Sequence, residues 1–302
     1  MTEPTDVDRF RRLVDHLAPG AALVRSRRLT GGVSATVTAL ELARGDAGPT
    51  TLVVRQHGDL DRRQNPNVAR DEFAVLRIAH ARGIPVPEPL LLDETGTLSP
   101  HPFLVQGYVD GAPDMALGGG AGRVNQAAAQ LAAIHAIPGG PELAFLPRFA
   151  SDAGERPAVL DDALGEGQIR DALDAARSPS VANPPALLHG DYWPGNLLWR
   201  NGRLAAVIDW EDARVGDPLA DVGNARLEFL FAFGTDAMEA LTARYRSLTA
   251  LDWSGLAYWD LRAALRPCGN LSGWGLDAET ERRWRDLHAG FVARALGALP
   301  DR

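Results

Sequence analysis

The sequence has almost no cysteine, and this excludes one class of small, stable protein. Cys268 is the only cysteine among 302 residues, so the chain cannot form an internal disulfide scaffold. Cysteine and histidine clusters with zinc spacing are also absent, as is the Gly-x-Ser-x-Gly motif of serine hydrolases. We therefore expect neither a structural zinc site nor a serine nucleophile on a strand-to-helix turn.

Long apolar runs and positive charge are lacking as well. No segment approaches the ~20 consecutive apolar residues that a membrane span needs. The first residues, MTEPTDVDRFRRL, are too polar for a secretory signal and predict a short amphipathic helix. Lys and Arg total 31 against 39 for Asp and Glu, a net charge of −8, which argues against a nucleic-acid partner. We expect a cytoplasmic protein without a membrane partner.

The composition that remains is that of a globular protein. Hydrophobic residues make up 45% and charged residues 23%, which excludes a fibrous or disordered chain, and the length suits one large domain or two lobes. Strand patterns in Arg27–Leu42 and Thr50–Arg55 precede helical spacing over 68–82. Beyond Asp110 helical patterns dominate, and all seven tryptophans occur at or after Trp193. The sequence thus predicts a β-rich part followed by a larger helical part.

The densest chemical signal lies in Leu187–Gly223, LLHGDYWPGNLLWRNGRLAAVIDWEDARVGDPLADVG. A proline and a glycine between Asp191 and Asn196 require a loop there. Asn201-Gly202 then separates two apolar runs, which is a strong signal for a hairpin. An acidic loop is therefore expected to lead directly into a pair of short strands.

The register of this hairpin suggests a cation site. With a two-residue turn, Asn196 faces Val207, and Asp209 lies two residues further along on the same sheet face. Diagonal neighbours on one face are about 7–8 Å apart, so two oxygen-bearing side chains there can bind one Mg²⁺. Asp191 remains off the metal and can act as a base. Phosphoryl transfer needs this division between a metal ligand and a group that directs the hydroxyl.

HGDYWPGN followed by IDWEDA resembles the catalytic and metal-binding segments of the aminoglycoside phosphotransferase family, which includes choline-kinase-like and other small-molecule kinases. The likeness extends over roughly residues 25–270. It implies an α+β, protein-kinase-like two-lobed fold. A small β-rich N-lobe with one main helix, residues 1–106, would bind nucleotide. A larger, mostly helical C-lobe, residues 107–302, would carry the catalytic loop, the metal site and the acceptor site.

The resemblance assigns roles on the catalytic side residue by residue. Asp191 matches the catalytic base, and Asn196 and Asp209 match the two metal ligands. Asp217 and Asp221, in GDPLADVG, match a characteristic stretch that we interpret as structural.

On the nucleotide side, Glu72 matches a helix glutamate that pairs with a strand cation. That cation is usually Lys, whereas this chain has Arg55 and no lysine nearby, and Arg meets phosphate as a planar fork rather than as a point charge. The GGVS segment is also open to interpretation as a plain hairpin turn. The remaining candidates for nucleotide binding are Gly31, Gly32 and Ser34 of the phosphate-covering loop and Gly107–Val109 of the inter-lobe hinge.

The resemblance implies a phosphotransferase that moves the γ-phosphate of ATP or GTP, with Mg²⁺, to a hydroxyl of a small molecule. Aminoglycosides, other antibiotics, amino alcohols and sugars all remain open as acceptors. The alternative is a catalytically silent kinase-like nucleotide-binding protein, for which Arg55 is the best support. The short connection after Asp209 disfavours phosphorylation of a protein side chain. A monomer and a homodimer both fit.

Several side chains have a structural and a functional interpretation. His189 is expected to bond the loop backbone, His135 to belong to the core, and Cys268 to be structural because no activating base is near it in sequence. Acidic groups would suit a cationic acceptor, and aromatic faces would suit a quaternary ammonium or a sugar ring. The acceptor-site candidates are Asp212, Glu228, Asp236, Trp253, Trp259, Asp260 and Trp274.

Overall fold

The structure, a computed structural model, describes residues 6–29, 35–45, 47–115, 120–150, 152–176 and 183–299. The chain divides into two units. The N-terminal unit consists of Met1–Gly111 together with Ala205–Glu211, and the C-terminal unit consists of Ala112–Leu204 and Asp212–Arg302. The segment around Asp209 therefore belongs to the N-terminal unit by its contacts. The division after residue 106 into functional lobes stays a prediction.

The N-terminal unit is built on a five-stranded antiparallel sheet in the order β1-β2-β3-β5-β4. Apolar side chains of the first helix, Phe10 and Leu13, pack with Leu40 and Val105 of the sheet to form a hydrophobic core. The elements of this unit are α1 (Asp6–Leu17), β1 (Ala22–Arg28), β2 (Ala35–Arg44), β3 (Ala47–His57), α2 (Asp59–Gln64), α3 (Val68–Ala81), β4 (Pro89–Asp93) and β5 (Phe103–Gly107).

Sheet register and helical spacing place two charged residues in the interior of this unit. Arg55 is opposite Val37 of β2 and Leu104 of β5, in the middle strand of the sheet. Glu72 occupies the buried stripe of α3, in line with Ala69 and Leu76 at helical spacing. The stripe that packs the helix therefore also carries a carboxylate into the core.

The C-terminal unit is mostly helical, and nearly all of one of its 16-residue helices, α6, is buried. Two small sheets accompany the helices, one in which β10 pairs with β7 and one in the order β6-β8-β9. The last residues of β9 belong to the N-terminal unit. The elements are β6 (Ala112–Pro113), α4 (Gly120–His135), α5 (Glu166–Ala176), β7 (Ala186–Leu188), β8 (Leu197–Arg200), β9 (Arg203–Val207), β10 (Arg214–Gly216), α6 (Pro218–Phe233), α7 (Thr235–Leu248), α8 (Leu256–Ala264) and α9 (Ala278–Ala298).

The order of elements confirms the predicted β-rich part followed by a helical part. The turn at Asn201-Gly202 is confirmed as well, with positive φ at both residues (50° and 75°), as a type I′ turn requires. The strand register deduced from it is wrong at its ends. Asn196 closes a 3₁₀ turn rather than lying on β8, and β9 ends at Val207, before Asp209. A shared sheet face therefore does not relate these two side chains.

Two further sequence expectations concern loops and membranes. Gly31, Gly32 and Ser34, expected to cover phosphate, lie outside the described residues. Within the described ranges, no helix combines the length and the apolar character needed to cross a bilayer.

Candidate active site

Arg55 is the centre of a charge cluster inside the N-terminal unit. Its Nε donates to Glu72 Oε2 at 2.9 Å, and its Nη2 donates to Glu211 Oε2 at 2.6 Å and to Asp209 Oδ1. The predicted Arg55–Glu72 ion pair is therefore present. Its role in phosphate binding stays a prediction.

Carboxylates outnumber the basic groups in this cluster, which therefore has an excess of negative charge. His57 Nε2 lies 2.7 Å from Glu72 Oε2 and 3.6 Å from Glu211 Oε2, and its Nδ1 is buried without a partner among the described residues. The single guanidinium of Arg55 faces three carboxylates, those of Glu72, Asp209 and Glu211. Such a cluster suits an additional cation.

The ionisation of the Arg55–Glu72 pair is fixed by its surroundings. Burial raises the pKa of Glu72, but Arg55 and His57 together outweigh burial and lower that pKa to about 2. Burial lowers the pKa of Arg55, and the surrounding carboxylates more than reverse this and raise that pKa above its ordinary value. The whole sequence contains no lysine, so a guanidinium is the only side chain that can supply a permanent positive charge here.

Local backbone geometry presents Asp209 to this cluster. Val207 N–H donates to Pro85 O at 2.8 Å, and the buried Trp210 indole N–H donates to Val207 O at 3.0 Å. Between them Asp209 has a φ of 69°, a left-handed conformation that aspartate tolerates better than most residues. This turn directs Asp209 and Glu211 to Arg55, and it leaves the Asp209 side chain about a quarter exposed (26%), so a ligand can reach its carboxylate.

The predicted hinge residues have part of their backbone already occupied. Gly107 N–H donates to Glu88 O at 2.8 Å, and Tyr108 N–H donates to Thr51 O at 3.2 Å. Neither N–H is therefore available to an adenine ring. Val109 N–H has no acceptor within the part of the chain that the structure describes.

In the C-terminal unit, both carboxylate oxygens of Asp191 are held. Its Oδ1 accepts from Arg266 Nη2 at 2.6 Å, and its Oδ2 accepts from Asn196 Nδ2 at 3.2 Å. Asn196 Nδ2 also donates to Asp191 O at 3.0 Å, and Arg266 Nη1 donates to Gly190 O at 2.8 Å. Since the Asn196 amide nitrogen donates to Asp191, the amide oxygen, Oδ1, can bind a metal ion.

Asp221 holds the backbone of the loop that carries Asp191. Its two oxygens accept from His189 N–H at 2.6 Å and from Gly190 N–H at 3.0 Å. His135 Nε2 lies 3.2 Å from the same carboxylate. Burial raises the pKa of Asp221, but His135 and His189 outweigh burial and lower it, so the anchor is ionised at neutral pH. The structural interpretation of Asp221 is confirmed.

The GDPLAD segment explains how this anchor is placed. Asp217 caps α6, because its side chain accepts from Leu219 N–H at 2.9 Å, and Pro218 occupies the first helical position, where no amide hydrogen is needed. Asp221 then follows one turn later in the same helix. Asp217 therefore caps the start of the helix, and Asp221, four residues later, holds the loop next to the first helical turn.

Glycine is required at the centre of the loop. Gly190 has a φ of 82°, and a Cβ added there would lie 2.1 Å from Asp212 O. No side chain fits so close to a backbone oxygen. His189 Nδ1 accepts from Asp191 N–H at 3.3 Å, which confirms the predicted structural role of this histidine.

The sequence indicates two functional candidates in this unit, Arg266 and Glu228, only weakly or not at all. Arg266 follows Asp191 by 75 residues and lies in no motif, so no sequence signal identifies it. Glu228 was one of several acceptor-site candidates. Burial raises its pKa to about 7, with Asp191 adding to the effect and Arg266 opposing it. In the N-terminal unit, Glu211 and His57 were missed, although each is two residues from a predicted site residue, Asp209 and Arg55.

Three other candidates, Asp260, His135 and Cys268, have structural roles. Asp260 is buried and paired with Arg226 at 3.0 Å, so its carboxylate is not offered to a substrate, and the acceptor-site expectation for it is wrong. His135 lies 2.6 Å from the Tyr245 hydroxyl in the core, as predicted. Cys268 is buried, and burial raises the pKa of its thiol to about 12, which is contrary to a nucleophilic role.

The sequence profile of the phosphotransferase enzyme family matches residues 25–290, most of the chain. The chain belongs to the phosphotransferase enzyme family. One curated relative, hygromycin-B 4-O-kinase of Escherichia coli, is 38% identical over 71 residues, a stretch that covers 22% of this chain and 20% of that protein. The chain is thus matched to about a fifth of that relative's length.

Solved structures of the family confirm the fold. The GDP and kanamycin complex of the phosphotransferase APH(2″)-IIIa has a TM-score of 0.63 at 16% identity, over 94% of this chain and 98% of that chain. A thermostable mutant of the phosphotransferase APH(4)-Ia, with ADP and hygromycin B, has a TM-score of 0.61 at 20% identity, over 99% and 100% of the chains. The predicted protein-kinase-like α+β fold is therefore confirmed.

Proposed function

We propose that this phosphotransferase moves the γ-phosphate of ATP or GTP to a hydroxyl group of a small molecule, with Mg²⁺ on the nucleotide. The observation that carries the proposal is the Asp191 carboxylate, which is held through both oxygens by Arg266 and Asn196 in a loop anchored on Asp221. A fixed carboxylate at the end of such a loop is what a phosphoryl acceptor requires for orientation.

Asp191 would act on the hydroxyl of the acceptor. An ionised carboxylate accepts the hydroxyl hydrogen bond, aims a lone pair of the oxygen at the γ-phosphorus and receives the proton as the new bond forms. A positioned base of this kind contributes about 10²–10⁴-fold to a rate. The remainder of the acceleration has to come from positioning and from neutralisation of charge.

The donor set fits Mg²⁺. Asp209 offers a partly exposed carboxylate, and Asn196 offers an amide oxygen whose nitrogen is already engaged. Hard oxygen ligands together with phosphate and water are what Mg²⁺ prefers, and the ion would neutralise charge on the phosphates. Because Asp209 and Asn196 belong to different units, their joint action is inferred from the family motif.

The nucleotide side of the proposal rests on residues 1–106, and the acceptor side on residues 107–302. Arg55, held by the ionised Glu72, would supply the positive charge that the family usually takes from Lys. Gly31, Gly32 and Ser34 would cover the phosphates, and Gly107–Val109 would meet the base, with Val109 N–H as its donor.

Relatives support a hydroxyl-bearing acceptor without fixing its identity. The curated relative is a hygromycin-B kinase, and one structural neighbour holds kanamycin. Neighbours with GDP and with ADP support either purine nucleotide as donor. The alternative, a silent nucleotide-binding protein, is favoured by Arg55 in place of Lys. It gives no reason for the doubly held Asp191 carboxylate.

A screen with coupled detection of ADP and GDP tests the proposal. Aminoglycosides, macrolides, amino alcohols, sugars and hydroxy acids would be supplied with each nucleotide, with Mg²⁺ or with EDTA. We expect diphosphate release that depends on one acceptor class and disappears with EDTA. Nucleotide binding without diphosphate release for any acceptor would instead support the silent alternative.

A further inference from the structure

A polar cavity of about 360 Å³ lies beside the catalytic loop, within the C-terminal unit. Gly190 forms part of its wall, next to the loop aspartate. The cavity is unusual in its charge, because three guanidinium groups line it, those of Arg214, Arg262 and Arg266. These arginines come from β10, α8 and the residues that follow α8.

Two of the three arginines have no carboxylate within ion-pair distance among the described residues. Arg266 is neutralised by Asp191 at 2.6 Å. Neither Arg214 nor Arg262 forms an ion pair within 4.0 Å in the part of the chain that the structure describes. Arg262 instead lies over the Phe149 ring, 5.8 Å from its centroid. Burial lowers the pKa of Arg262, Tyr258 and Asp152 oppose this effect, and Arg170 and Arg214 add to it, so an added negative charge would stabilise the guanidinium.

Unpartnered polar atoms point to a ligand in the same place. Asn224 lines the cavity and is more than nine-tenths buried, yet both atoms of its amide lack a hydrogen-bond partner among the described residues. Arg262 Nε is also buried and has no hydrogen-bond partner in the described ranges. Buried polar atoms in folded proteins are almost always satisfied, so a ligand with both acceptor and donor groups is expected here. An anionic group would accept from Asn224 Nδ2 and Arg262 Nε, and a hydroxyl would donate to Asn224 Oδ1.

Two carboxylates, those of Asp212 and Asp221, share the cavity wall with the three arginines. Asp221 is occupied by the loop backbone and His135. Asp212 is exposed, so solvent screens its charge. Arginines outnumber carboxylates in the wall by three to two, which favours an anionic acceptor over a cationic one.

The cavity is coupled to the reacting group through Arg266. This guanidinium lines the cavity, donates to Gly190 O at 2.8 Å and holds Asp191 Oδ1. We propose that Arg214, Arg262 and Asn224 bind the carboxylate or phosphate group of an anionic acceptor whose hydroxyl is phosphorylated at Asp191, an inference that rests on the proposed function.

The transfer itself balances without a further reactant. The acceptor oxygen bonds to the γ-phosphorus while the bond from that phosphorus to the β,γ-bridging oxygen breaks. The electron pair of the broken bond leaves with the nucleoside diphosphate, and the hydroxyl proton passes to Asp191 and then to water. The product carries one more phosphate on a molecule that was already an anion.

Binding is tested first, without turnover. Inorganic phosphate, glycerate and glycerol 3-phosphate would be titrated calorimetrically into the intact protein and into Arg214→Gln and Arg262→Gln. We expect each variant to lose about tenfold or more in anion affinity. Arg282→Gln, an exposed arginine on α9, serves as the matched control and should bind as the unaltered protein does. Equal affinity in all proteins would overturn the proposal.

Turnover then separates this inference from the proposed function. Hydroxy acids and sugar phosphates would be compared with their uncharged and amine analogues, and Arg214→Gln should raise the KM for the anionic acceptors far more than it lowers kcat. Transfer to neutral or cationic acceptors that is insensitive to Arg214→Gln overturns the inference and leaves the proposed function standing. Anion binding without transfer to any compound overturns both.

Discussion

Replacement of Asp191 by asparagine is expected to lower phosphoryl transfer by about 10²–10⁴-fold and to leave nucleotide affinity nearly unchanged. Asparagine keeps the shape of the side chain, and its oxygen can still accept from Arg266. It cannot take the hydroxyl proton, and its amide nitrogen would face the Asn196 donor. The loss should therefore fall on the chemical step.

Single-turnover transfer and calorimetric nucleotide binding, measured on the same preparations, check this result. Asp286→Asn on α9 changes an exposed carboxylate outside the site and should retain full activity. Full turnover in Asp191→Asn with an acceptor that the unaltered protein phosphorylates would remove Asp191 from its assigned role.

Arg55→Met is expected to lower the free energy of unfolding by about 3–5 kcal/mol, since it leaves buried charges without their partner. Arg55 is bonded to Glu72, Asp209 and Glu211, and its own side chain is only 9% exposed. Arg55→Lys should lose less, because an ammonium group keeps the charge but not the fork that meets three carboxylates. Urea unfolding of both variants measures the difference, with Arg28→Met, an exposed residue of β1, as the control.

The pH dependence of that loss identifies Glu72 as its cause. In the unaltered protein the Glu72 pKa is about 2 against an ordinary value of 4.5, so its contribution is present above pH 4.5 and is lost as the pH falls toward 2. Without Arg55, burial dominates and raises that pKa, and Arg55→Met should become more stable on acidification from pH 7 to 5. Identical unfolding midpoints for Arg55→Met and Arg28→Met would contradict this account.

The sequence predicted the catalytic loop well because its determinants are local. The pairing of His189 with the backbone, the role of Asp221 and the turn at Asn201-Gly202 all depend on residues within one short segment. The pairing of Arg55 with Glu72 followed from the family pattern. Each of these features is specified by side chains a few positions apart or by a known motif.

Features that depend on tertiary packing could not be predicted. The sheet register failed at Asp209, because the chain leaves β9 at Val207 and enters a left-handed conformation that no residue pattern signals. Arg266 reaches Asp191 from 75 residues away. The arginine-lined cavity draws its wall from several separate elements, so the excess of positive charge exists only in the folded chain.

The central claim is that Asp209 and Asn196 hold the metal ion of the nucleotide while Asp191 acts on the acceptor hydroxyl, and Mn²⁺ binding tests it most directly. Electron paramagnetic resonance would measure Mn²⁺ affinity with and without a non-hydrolysable ATP or GTP analogue. We predict nucleotide-dependent binding that Asp209→Asn and Asn196→Ala each weaken by about tenfold or more. Asp191→Ala should retain it, because Asn196 Nδ2 still donates to the backbone oxygen of residue 191. Unaltered affinity in Asp209→Asn and Asn196→Ala would contradict the account.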